Sequence, residues 1–194
     1  MDEARSVREF WFGRLPLSAD ALNRRLPFWF AGPPSELGRL RDEHIRERFG
    51  ELLELAASGA LGSWEDGPRR RLSLILLLDQ FPRNMFRGSA AAFAADPLAR
   101  AAAGRAIERG FDRQAAKAER PFFYLPYMHS EALADQERCC DLCRAAGDKG
   151  TLKYAELHLD IIRRFGRFPH RNAVLGRGTT PEEQAFLDGG GFGG

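Results

Sequence analysis

The chain has 194 residues, a length at which one domain is the default and a core can be buried without disulfide or metal staples. A net charge of +2 makes no global case for a nucleic-acid partner, and no apolar run, the leucine-rich Leu74 to Leu78 included, approaches the roughly 20 residues that span a bilayer. The opening Met1-Asp2-Glu3-Ala4-Arg5 lacks a basic region followed by an apolar stretch, so a secretory leader is not expected and the cytoplasm is the default compartment.

The pattern is helical almost from end to end. Val7, Phe10 and Trp11 mark a short first helix stopped by Gly13 and Pro16, and Ser18 is a cap for a second through Leu22 to Leu26. The aromatic knot Phe28-Trp29-Phe30 then meets the breaker Gly32-Pro33-Pro34. From Ser35, the residues Leu37, Leu40, Ile45, Phe49, Leu52, Leu53 and Ala56 recur at steps of three and four, the stripe of a half-buried helix that Gly59 and Gly62 end. Asp66-Gly67-Pro68 reads as a helix start with Pro at the first position. The run Leu72 to Leu78 is apolar all round; leucine dominance predicts a buried helix rather than a buried strand.

Ser89 and Asp96-Pro97 offer further starts in an Ala-rich stretch that runs to Arg109-Gly110. Pro121 to Met128, aromatic and with two prolines, is expected to be irregular and packed. Ser130 is placed as the cap of a helix to about Ala146, and Thr151 as the cap of another with Leu152, Ala155, Leu159 and Ile162 on one stripe and Gly166 at its stop. Thr180-Pro181-Glu182-Glu183 combines a capping box with Pro at the first position. No alternating segment and no Asn-Gly hairpin is present. The expected fold is therefore all-α: antiparallel helix pairs in one domain over 1–194, with its core at about 7–188 and a flexible glycine-rich tail over 189–194.

One phrase occurs twice. Asp79-Gln80-Phe81-Pro82-Arg83-Asn84 returns in outline as Arg167-Phe168-Pro169-His170-Arg171-Asn172, each after an apolar helical run and each with Pro where a helix is expected to stop. Two helix ends dressed alike suggest two walls of one polar pocket. Asp79 lies beside Ile75 and Leu76 and must be paired or neutralised. Glu131, Asp135 and Arg138 follow i, i+4, i+7 spacing behind His129. From His158 to Arg177 the chain carries five Arg and two His against the single acid Asp160. Arginine forks suit carboxylate and phosphate. Arg69-Arg70-Arg71 stands where a helix dipole disfavours cations, so local acids, solvent or a bound anion must compensate.

Other constellations are weaker. Cys139, Cys140 and Cys143 lack the fourth donor and the second spaced pair of a zinc site, and read as small buried apolar side chains. His158 and Asp160, two apart on a helix, point about 200° from each other and cannot chelate together, so His158 reads as a core histidine. No metal site and no cofactor is expected; nucleotide loops, nucleophile elbows and zinc-protease motifs are absent from the sequence.

The segments Leu77 to Gly88, Tyr124 to Glu131, Leu133 to Arg138 and Arg164 to Asn172 resemble the motifs of the bacterial Domain of Unknown Function 924 family, as do Phe10-Trp11-Phe12-Gly13 and Thr180-Pro181-Glu182-Glu183. The resemblance covers about Val7 to Phe192. It implies a right-handed superhelix like tetratricopeptide-repeat proteins, and no established activity.

The leading expectation is a binding module for an anionic small molecule or peptide, lined by Asp79, Arg83, Asn84, His129, Glu131, Asp135, Arg138, Arg167, His170, Arg171 and Asn172. The alternative is a hydrolase or transferase with His129 or His170 as general base and Asp79 as a further catalytic candidate. A third reading is a protein-interaction scaffold that displays Phe28-Trp29-Phe30 as an exposed apolar patch.

Overall fold

A computed structural model describes residues 2–13, 19–30 and 36–193. Among them every regular element is a helix and none is a strand: α1 (Glu3–Phe12), α2 (Ala19–Phe30), α3 (Glu36–Ala57), α4 (Pro68–Met85), α5 (Asp96–Glu108), α6 (Phe111–Gln114), α7 (Leu125–Met128), α8 (Leu133–Ala145), α9 (Lys149–Phe165) and α10 (Pro181–Asp188), with single 3-10 turns between some of them. No helix among the described residues is long and apolar enough to cross a membrane. The cap expected at Ser18 and the breaker Gly32-Pro33-Pro34 lie outside the described residues.

Contacts divide the chain into two compact units, Met1–Arg87 with Ala91–Pro126, and Gly88–Ala90 with Tyr127–Gly194. The first is built round α4, which packs against α1, α3 and α5. Every residue from Leu72 to Pro82 is buried, as a helix apolar on all sides requires. Each fully buried Leu or Ile there contributes about 1.5–3 kcal/mol of transfer free energy. Ser73, the polar exception among the leucines, donates its hydroxyl to the Ala4 carbonyl at 2.6 Å and so ties α4 to α1.

Several local expectations hold and several are corrected. Pro68 opens α4 behind Gly67, whose φ of 85° is one that glycine tolerates best. Pro82 does not end α4, which runs on to Met85. Only the hydrogen bond from the absent Pro82 N–H is forfeited, and the helix is buried on all sides around it, so packing outweighs a local break. Leu40 is exposed although it sits in the α3 stripe. Pro121 to Met128 is not irregular but a 3-10 turn (Arg120–Phe123) followed by α7, and Phe122, Phe123, Tyr124, Leu125, Tyr127 and Met128 are buried as expected. Trp29 is buried, with its indole N–H donated to the Trp11 carbonyl at 2.9 Å, and Phe28 is half-buried against Phe10 and Trp11. The exposed patch that a scaffold reading requires is therefore not formed by Phe28 and Trp29.

In the second unit α8 and α9 pack together as a hairpin joined through Ala146, Gly147 and Asp148. Cys139, Cys140 and Cys143 are buried on α8 and form no disulfide, and the hydrogen bond with Cys143 together with burial raises the Cys139 pKa far above its ordinary value. Ala155, His158, Leu159, Ile161 and Ile162 form the inner face of α9. The cap of α9 is Asp148 rather than Thr151: its carboxylate accepts from Thr151 N at 3.0 Å and from the Thr151 hydroxyl at 2.6 Å. Ser130 likewise is not the cap of α8; Ala132 holds that position, and Ser130 Oγ instead accepts from Ala132 N and donates to Asp135. The capping box of α10 forms as read, with Thr180 and Glu183 each accepting the other's backbone N–H.

Candidate functional site

The expected site residues fall into two clusters, one in each unit. In the first, Asp79 is fully buried near the C-terminal end of α4. Because the helix continues through Pro82, Arg83 stays one turn away and its guanidinium lies 3.4 Å from the Asp79 carboxylate. The same guanidinium forks onto Asp96 at the start of α5, with both N–O distances 2.9 Å. Burial alone would lower the Arg83 pKa; Asp79 and Asp96 together raise it instead. Asn84 donates to Asp42 at 2.9 Å, and Asp42 also takes Arg41 and Arg87. Burial opposes ionisation of Asp42, but hydrogen bonds from Arg87, Asn84 and Arg41 overcome it and its pKa falls. Arg46 Nε donates to the Met85 carbonyl at 3.1 Å, satisfying an end group of α4. The whole cluster reads as a clamp on a helix end.

Arg71 resolves the puzzle of the three consecutive arginines. It is buried, and donates to the carbonyl and the carboxylate of Glu65 at 2.9 and 3.0 Å. Glu65 also takes Arg105 through its carboxylate and Arg109 through its carbonyl. A local acid therefore compensates the buried cation, while Arg69 and Arg70 are exposed.

The second cluster surrounds the 3-10 turn Pro169–Arg171. α9 ends at Gly166, whose φ of 68° supplies the left-handed residue that such a stop needs, and Pro169 lies beyond it. Two ionic staples hold the turn. Arg167 forks onto Glu183 at 2.6 and 2.9 Å, and the same carboxylate accepts from Asn172 at 3.1 Å and from Thr180 N at 2.8 Å. The Arg167 hydrogen bond above all holds Glu183 down to a pKa of about 2. The other staple is Glu131, which accepts from Phe168 N at 2.8 Å and takes a fork from Arg177 at 2.8 and 3.0 Å. Burial raises its pKa, but Arg177, the Phe168 N–H and Arg171 lower it overall. Glu131 precedes α8 and so does not share a helical face with Asp135 and Arg138; Asp135 accepts from Ser130, and Arg138 is exposed with its guanidinium 5.0 Å from the Tyr127 ring centre.

Between the staples sits a group of rings and one cation. Arg171 is only 7 % exposed; it donates to the His129 carbonyl at 3.0 Å and lies 4.5 Å over the Phe168 ring. His158 is a core histidine as expected, its Nδ1–H donated to the Tyr154 carbonyl at 2.8 Å. Burial lowers its pKa to about 4. Burial first, and then Arg171 and His158, also bring His170 to about 4. Both imidazoles are thus neutral at neutral pH. His170 Nδ1 and Asn172 Oδ1 are buried without a hydrogen-bond partner among the described residues. An open depression lined by Arg164, Phe165, Glu182, Ala185 and Phe186 also lies in this unit, and none of the expected site residues lines it.

Sequence reading missed three partners. Asp42 and Asp96 are ordinary helix acids by spacing, and Glu183 was fully accounted for by its capping box. A weak signal was available: a capping-box Glu has a second carboxylate oxygen, and Arg167 had no acid nearby in sequence. Among the described residues no group of three or more His, Cys, Asp or Glu is arranged to hold a metal ion.

An all-helical protein with two buried, arginine-rich polar clusters is what fold and site together define. The chain belongs to the family described as bacterial protein of unknown function (DUF924), whose model matches residues 7–191. It is also similar to a solved protein of unknown function from Agrobacterium tumefaciens, at 43% identity and a TM-score of 0.83, over 96% of this chain and 97% of that one. No curated protein matches.

Proposed function

We propose that the C-terminal unit is a binding module for an anionic small molecule or an anionic peptide group, received at Arg171 and His170. The observation that carries this reading is a nearly buried guanidinium beside a half-buried imidazole whose Nδ1 is buried and unpartnered. Burying that nitrogen without a partner costs free energy that a hydrogen-bonded ligand would recover. The staples Glu131–Arg177 and Glu183–Arg167 hold the turn in place, so the anion-facing groups are preorganised. Helical hairpins such as α8–α9 are the units from which a tetratricopeptide-like right-handed stack is assembled, and that arrangement in the cytoplasm is part of the proposal.

A general-base role for His170 fits less well. No carboxylate reaches its Nδ1, and a base with a pKa of about 4 is a weak proton acceptor at neutral pH.

The test is titration with inorganic phosphate and acetate, followed through the imidazole resonances of His158 and His170. Arg171→Lys keeps the charge and loses the fork, so binding should weaken about tenfold or more with little change in melting temperature. Arg171→Ala is less informative, because it also strips the His129 carbonyl of its donor. Unchanged anion affinity in Arg171→Lys would refute the reading.

A further inference from the structure

The chemistry of the seat is narrower than an anion alone. Phe168, His158 and His170 form three sides of an aromatic box: His158 lies 5.5 Å and His170 5.6 Å from Phe168, ring centre to ring centre. The open fourth place is taken by Phe192, which meets His158 at 4.5 Å and 61° and His170 at 5.3 Å and 76°, both edge-to-face. Phe192 comes from the glycine-rich tail. That tail has no ionisable side chain over residues 189–193, so backbone hydrogen bonds and this one half-buried ring hold it. Its path depends on glycine. Gly190 has a φ of 77°, and Gly191 N donates to the Phe186 carbonyl at 2.9 Å. A Cβ at Gly191 would lie 2.5 Å from that carbonyl oxygen and 2.6 Å from the Phe186 ring. A half-buried phenyl group therefore rests on the two imidazoles and on the Ile161, Ile162 and Phe168 cluster, and glycines bring it there.

We propose that the ligand of this unit is an anion bearing a flat aromatic ring, and that Phe192 occupies the ring's seat until the ligand displaces it. This rests on the anion-binding reading above. The ligand ring takes the edge-to-face contacts with His158 and His170, and the anionic group accepts from Arg171 and from His170 Nδ1–H, the tautomer that an anion selects. A strap that competes for the seat lowers apparent affinity by the fraction of molecules in which it is closed.

The experiment compares the full chain with Phe192→Ala and Gly191→Ala, using phenyl phosphate and inorganic phosphate as probes and the His158 and His170 imidazole resonances as readout. Gly191→Ala keeps the phenyl ring and denies it the turn, so it tests release without deleting the ring. Both variants should bind phenyl phosphate about tenfold tighter than the unmodified chain, with inorganic phosphate nearly unchanged. In the unmodified chain, saturating phenyl phosphate should remove the ring-current shift that Phe192 imposes on both imidazoles. Equal phenyl phosphate affinity in all three proteins, or no preference for phenyl phosphate over inorganic phosphate, would overturn the strap and the aromatic ligand while leaving the anion site standing. Failure of either probe to bind any of the three would overturn both.

Discussion

The two look-alike phrases of the chain fold differently, and the difference shows what a buried arginine is for. Around Asp79, proline is absorbed into a helix that is buried on every side, and the carboxylates of Asp79, Asp96 and Asp42 meet the arginines and Asn84 nearby. Around His170, the helix has already ended at Gly166, proline opens a 3-10 turn, and the ionic staples hold the flanks of the turn while its centre keeps neutral imidazoles and an unpartnered nitrogen. The first phrase is spent on structure. The second holds its turn with the same kind of pair and leaves groups over.

That contrast can be broken most forcefully at Asp79. Asp79→Ala leaves the half-buried Arg83 with one of its two acids gone, and breaking a pair whose acid is fully buried costs up to about 3–5 kcal/mol. Urea unfolding should show that loss; a loss under about 1 kcal/mol would mean that the first cluster is not the clamp described. Glu183→Gln should come next. It removes a charge shared by Arg167, Asn172 and Thr180 N, at a cost of about 1.5–3 kcal/mol by the same measurement.

Acid sharpens the comparison further, since depressed histidines belong to the second phrase. Between the ordinary value of 6.5 and about 4, the unfolded chain binds protons at His158 and His170 that the folded chain refuses. Stability is therefore fully present above pH 6.5 and falls as pH drops toward 4. His158→Gln should flatten the melting-temperature profile across that window; an unchanged slope would remove the buried-imidazole account. Glu183 adds a later loss, as pH falls from about 4.5 toward 2. The smallest effect is expected at Asp160, whose 3.9 Å contact with Arg164 is solvent-exposed on both sides. Asp160→Ala should cost less than about 0.5 kcal/mol. A larger value would point to a role for the neighbouring Phe165–Phe186 surface.

Helix existence was legible in the chain because burial leaves a period: the α4 leucines, the inner face of α9 and the capping box of α10 follow from residue order alone. Caps and ends were less so. Ser130 and Thr151 have the side chains that caps use, yet Ala132 and Asp148 hold those positions, because a cap is chosen by where the backbone turns rather than by which hydroxyl is closest.

Residue order by itself determined that this protein is all-helical, that Leu72 to Leu78 is its most buried stretch, and that His158 is a core residue. Pairs one helical turn apart, such as Arg164 with Asp160, follow from spacing, but which distant acid meets which arginine was decided by tertiary structure. Glu131 finds Arg177 across 46 residues and Arg83 finds Asp96 across 13, separations that carry no periodic signal. Charge pairing depends on distance in space, and only packing of the helices sets that distance.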